Sequence, residues 1–249
     1  MKQSLTRRNA LCFGAATSAL TALPALADTT PSSMALPLKD LAAAKGLRFG
    51  TAIGMRMLAD PRVRELTIRE CNIIVPENEL KLYVTHNNGP TEYNFKPADE
   101  LLAFAETNHM AMRGHNLFWA RDEYTPKWLK EYKFSSKAEA EKLLRDYIAA
   151  VAQHYGERLT SWDVVNETID PKSGEVRENA FSRVLGMDTL RIAFEAAREH
   201  MPKMQLVYND YMSWEAGNEN HRKGVLKLLH WFRDNKVPID ALGVQSHIG

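Results

Sequence analysis

From Gly46 onward, apolar segments rich in β-branched residues alternate with longer segments whose apolar positions return every three or four residues. The first kind predicts strands over Arg48–Gly54, Ile73–Glu79, Ala111–Trp119, Leu159–Glu167, Gln205–Tyr211 and Ala241–Gly249. The second kind predicts helices in the gaps. In "SKAEAEKLLRDYIAAVAQHYG", Ser136 and Glu139 stand at capping-box spacing, and Leu144, Ile148, Val151 and Tyr155 share one stripe. "PADELLAFAETNHM", "DTLRIAFEAAREHM" and "ENHRKGVLKLLHWFRDN" fill other gaps. Strands that read as nearly continuous apolar runs, alternating with helices, predict an α/β fold with a parallel sheet covered by helices. Periodicity alone does not choose between a closed barrel and an open doubly wound sheet. "GTAIGM" lacks both the dinucleotide pattern and a phosphate-loop lysine, which weighs against a nucleotide-binding open sheet.

Composition narrows the class of partner. The 249 residues, 45% hydrophobic and 25% charged, fit one large soluble domain. Lys plus Arg number 32 against 31 acidic residues, so no net field draws the chain to nucleic acid or anionic lipid. The first 27 residues have their own layout: Lys2, Arg7 and Arg8 without an acid, an apolar run from Ala10 to Leu26, then "ALA" at 25–27. That is the layout of a secretory signal, and "TRRNAL" resembles the twin-arginine kind. Removing its three positive charges leaves 29 basic and 31 acidic residues, a net −2, on a protein expected in the periplasm or outside the cell. Residues 28–45 read as a linker and N-terminal segment, and 46–249 as the folded domain. Cys71 is then the one remaining cysteine and reads as a small buried hydrophobe.

The polar residues fall where the apolar runs end. "PENELK" carries Glu77, Asn78 and Lys81; "RGHNLFW" carries His115 and Trp119; "VVNE" ends in Asn166 and Glu167; "YNDY" holds Asn209; "GVQSHIG" holds Gln245 and His247. In a βα barrel the carboxyl ends of the strands form the active-site face, so these side chains would converge on one cleft. Amides, imidazoles and carboxylates offer donors and acceptors to hydroxyl groups, and an indole offers a flat face to a ring, which suits a sugar better than a phosphate. No histidine set at ligand spacing supports a metal hydrolase, and no cofactor is implied.

These five motifs, in this order, resemble glycoside hydrolase family 10, the endo-β-1,4-xylanases, from about Gly46 to the last residue. The resemblance implies a TIM (β/α)8 barrel, of which about six of the eight βα units are present, and hydrolysis with retention through a double displacement. It implies Glu167 as general acid and base, with Asn166 on the sugar 2-hydroxyl. Glu77, Asn78, Lys81, His115 and Trp119 match positions lining the glycone subsites, Asn209 falls within a matching motif, and Gln245 and His247 match the pair that orients the catalytic carboxylates. The partners implied are xylan or xylooligosaccharides, with no nucleic acid or membrane and a monomer as the complete form. The family's nucleophilic glutamate belongs to a motif beyond "GVQSHIG", so the expectation is that these 249 residues lack it and turn over little substrate alone. A noncatalytic xylan-binding protein of the same fold is the alternative. The chain departs from the family pattern at Leu82, at Met212 and in "WARDEYTPKW", where Ala120–Glu123 replace a His-Ser-Gln run.

Overall fold

A computed structural model describes residues 35–247 of the chain. The signal-like segment 1–27 and the last two residues lie outside the described part. Every predicted strand region forms: β1 (Gly50–Ile53), β2 (Ile73–Pro76), β3 (Ala111–Met112), β4 (Gly114–Trp119), β5 (Ser161–Asn166), β6 (Gln205–Asp210) and β7 (Ala241–Val244). All neighbours pair in parallel, in the orders β1-β2-β3 and β4-β5-β6-β7. These strands occupy six successive βα positions, because β3 and β4 are two halves of one predicted strand. The break is at Arg113, whose N–H still bonds Ile74 O of β2 at 3.0 Å while the next residue, Gly114, pairs with Trp162 of β5. Gly114 is required there: a Cβ would lie 2.2 Å from the Trp162 indole.

The strands are shorter than their apolar runs because the polar ends leave the ladder. Glu77, Glu167 and Gln245 each follow the last paired residue of their strand by one position. The helices form where the periodicity places them, at Lys96–Thr107, Lys137–Tyr155, Asp188–His200 and Glu219–Asp234. Ser136 caps Lys137–Tyr155 by accepting from Glu139 N at 3.2 Å. The reciprocal half of the capping box is shifted by one residue, since the Glu139 carboxylate takes the N–H and hydroxyl of Ser135 instead, at 2.6 and 2.7 Å. Pro61–Glu70, unforeseen as a helix, starts with Asp60 as N-cap and Pro at its first position.

The core lies between strands and helices. Along β5 every residue is buried, and Val164, Ile148, Val151, Phe194, Tyr208 and Phe232 are sealed from solvent. Each such side chain contributes about 1.5–3 kcal/mol by leaving water. Ordered packing begins earlier than Gly46. A short helix, Leu38–Ala43, is tied down by Leu38 N on Glu70 Oε2 and Lys39 Nζ on Ile68 O, both at 2.8 Å. Among the described residues, no helix is long and apolar enough to cross a membrane.

Candidate active site

Glu167 sits directly after β5 with φ of 54°, in the left-handed region. A branched or long side chain is seldom found there, and the strain is held by packing and hydrogen bonds around it. Its own N–H donates to Asn209 O at 2.9 Å, which pins the turn to the end of β6. The side chain is 9% exposed and hydrogen-bonded on both carboxyl oxygens. Oε2 accepts from Trp119 Nε1 at 3.0 Å and from Arg121 Nη1 at 3.4 Å, and Oε1 accepts from Gln245 Nε2 at 2.9 Å.

The amides form a second layer of the same cluster. Asn166 Oδ1 accepts from Asn209 Nδ2 at 2.8 Å and from Gln245 Nε2 at 3.3 Å. Asn166 Nδ2, by contrast, is buried and has no partner among the described residues. A donor in that condition suits a hydroxyl supplied by a ligand. Gln245 Oε1 meets His247 Nε2 at 3.0 Å, so the last predicted strand end closes on the acid through one amide.

Lys81 enters from the loop after β2 and is 8% exposed. Burial pulls its ammonium below the usual lysine range, against the opposing pull of Glu167, Glu77 and Glu79. Its Nζ lies 4.4 Å over the Trp119 ring, and Tyr124 stacks on that ring at 3.7 Å and 10°. Trp119 is therefore part of an internal stack. What it presents to the cleft is its N–H, held by Glu167, more than the open face expected from the sequence. Glu77 and Asn78 are exposed on the rim, where Asn78 Oδ1 accepts from Tyr83 OH at 2.7 Å.

His115 belongs to a separate network. It is the register partner of Asp163 on β5, and its Nδ1 lies 2.8 Å from Asp163 Oδ2. Arg113 reaches the other carboxylate oxygen at 2.5 Å and Ser161 Oγ at 2.8 Å. The structure thus links Lys81, Trp119, Asn166, Glu167, Asn209, Gln245 and His247, places Glu77 and Asn78 at the edge, and sets His115 on Asp163. Sequence reasoning missed three members. Asp163 could have been found as a lone charge inside an apolar strand, whereas Arg121 and Tyr124 stood only as departures from a motif. Among the described residues, no three His, Cys, Asp or Glu side chains are disposed to hold a metal ion. A cavity of about 300 Å³ lined by Gly156, His200 and Met204 opens at the amino-terminal ends of β5 and β6 and holds none of these groups.

Fold and site together define a parallel βα-barrel protein with an acid-and-amide cluster at its strand ends. Residues 37–249 match the profile of Glycosyl hydrolase family 10, and the chain belongs to that family. The chain is 32% identical over 238 residues to an endo-1,4-beta-xylanase A of Thermotoga maritima, covering 90% of this chain and 22% of that protein. It is 34% identical over 219 residues to an endo-1,4-beta-xylanase B of Thermotoga neapolitana, covering 87% and 61%. Native xylanase 10B from Thermotoga maritima superposes with a TM-score of 0.76 at 33% identity, covering 85% of this chain and 64% of that one. Xylanase 10B from Thermotoga petrophila in complex with xylobiose gives 0.76 at 31%, covering 85% and 63%. The six βα units are thus part of a TIM barrel, and the chain spans less than two thirds of the length of these relatives.

Proposed function

We propose that the chain is part of an exported endo-β-1,4-xylanase that cleaves internal bonds of xylan with retention, with Glu167 as its general acid and base. The observation that carries this reading is the state of Glu167: strained in backbone, nearly buried, and held on both oxygens at the strand ends. Its position beside a buried, unpartnered Asn166 Nδ2 matches what protonation of a glycosidic oxygen and grip on a neighbouring hydroxyl require. Retention needs a second carboxylate about 5–5.5 Å away across the anomeric carbon. In this reading the nucleophile is the glutamate that the family resemblance assigns to the motif after "GVQSHIG". Kinship with xylanases, one of them solved with xylobiose, supports the choice of xylan. The signal-like first 27 residues support export.

The test is hydrolysis of xylan by the protein carrying this chain, with the product anomer followed by proton NMR. The β-anomer should form first, and Glu167→Gln should remove xylan turnover. Release of the α-anomer first, or full activity in Glu167→Gln, would overturn the assignment. The 249-residue chain alone should bind xylooligosaccharides and release almost none.

A further inference from the structure

Arg121 comes to the acid from the loop after β4. Its Nη1 is 3.4 Å from Glu167 Oε2, the oxygen that already accepts from Trp119. The guanidinium does not reach there loosely. Nη2 is braced by Glu123 at 3.2 Å, the backbone O takes the Thr125 hydroxyl at 3.3 Å, and the group lies 5.2 Å over the Tyr124 ring that stacks on Trp119. Trp119 and Arg121 are thus joined through Tyr124 into one support for one oxygen.

A carboxyl oxygen has two in-plane acceptor positions. Among the described residues Oε2 takes two N–H donors, whereas Oε1 takes one, from Gln245. A proton on Oε2 would compete with two donors already placed there; a proton on Oε1 competes with one. Building on the reading of Glu167 as proton donor, we propose that Arg121 is a positioning residue that reserves Oε1 as the atom carrying the donated proton. In the bond-breaking step, the proton passes from Oε1 to the glycosidic oxygen as its bond to the anomeric carbon breaks and that bonding pair stays on oxygen. The leaving sugar departs as an alcohol and Glu167 becomes a carboxylate, now bound by all three donors, while the nucleophile takes the anomeric carbon. Arg121 touches neither reactant in this scheme and acts through Glu167.

Neutron diffraction from acidified crystals of the wild-type chain and of Arg121→Met tests the proposal without any turnover. The deuteron should lie on Oε1 in the wild type and divide between both oxygens in Arg121→Met. A wild-type deuteron on Oε2, or the same placement in both proteins, overturns it. Kinetics on the protein carrying this chain give a second readout that a purely structural role would not produce. For a xylobioside with a poor alkoxide leaving group, kcat/KM should fall about tenfold or more in Arg121→Met, within the range that general acid catalysis supplies. For the dinitrophenyl xylobioside, whose leaving group needs no proton, it should change less than about twofold, and Arg121→Lys should recover most of the loss. Equal losses on both substrates would overturn the positioning role. Absence of all hydrolysis would sink the xylanase reading alone, since proton placement is read independently.

Discussion

Asp163 is 1% exposed at the middle of the fully buried strand β5, and among the described residues its carboxylate is held by Arg113 and His115. Arg113 Nη2 lies 2.5 Å from Oδ1 and His115 Nδ1 2.8 Å from Oδ2. A hydrogen bond involving a charged group is worth about 1.5–3 kcal/mol, and removing one partner of a buried pair costs about 3–5 kcal/mol because the other charge is stranded. The Arg113 side chain is 29% exposed and recovers some hydration, which places Asp163→Ala near the lower figure, about 3 kcal/mol. Asp163→Asn keeps one acceptor but points an amide N–H at a former donor, so about 2–3 kcal/mol is expected. Urea unfolding followed by tryptophan fluorescence would read this, with the slope held equal to wild type. A melting temperature lowered by about 6–12 °C is the thermal equivalent for about 3 kcal/mol in a domain of this size. In a double-mutant cycle, Asp163→Ala with Arg113→Met should cost less than the two single changes summed. A loss below about 1 kcal/mol in Asp163→Ala, or strict additivity in the cycle, would show that solvent and not Asp163 balances Arg113.

Three other outcomes follow from the geometry. Burial holds the Lys81 ammonium below its unfolded range, so the unfolded chain binds more protons between the two values and stability rises with pH there. Lys81→Met should therefore raise the midpoint of urea unfolding at pH 7, and the gain should shrink as pH climbs toward about 10.4, the ordinary lysine value; a gain that grows with pH would contradict the assignment. Gly224→Ala puts a Cβ 2.3 Å from Gly174 O, which forces the helix Glu219–Asp234 away from the loop and should lower stability by about 1–3 kcal/mol in a calorimetric melt, with an unchanged melt as the contrary result. If Asn166 Nδ2 serves the substrate hydroxyl, Asn166→Ala should lower kcat/KM on xylan by about a hundredfold or more, several kcal/mol of transition-state contact, while KM alone changing would point to a binding role.

How much of this was legible beforehand is clearest at particular residues. The continuous apolar runs and the helical patterns placed all six strand regions, and the polar punctuation at the end of each run named most of the cluster around Glu167, because side chains there lie at the boundary between a buried strand and the loop that follows it. Those are local properties, carried by neighbouring residues. The split at Arg113, the shifted cap at Glu139 and the closed face of Trp119 were not legible, since each depends on what a residue from another strand or loop brings within reach. Arg121 makes the same point for chemistry. The sequence by itself determined that acids, amides and aromatic rings would gather at the carboxyl ends of parallel strands, because hydrophobic periodicity fixes which residues lie in the core and which end it. Only the tertiary structure decided that Arg121 and Trp119 share one oxygen of Glu167 and that Gln245 takes the other, because hydrogen-bond partners between residues 46 to 78 positions apart are set by the packing of strands and loops in space.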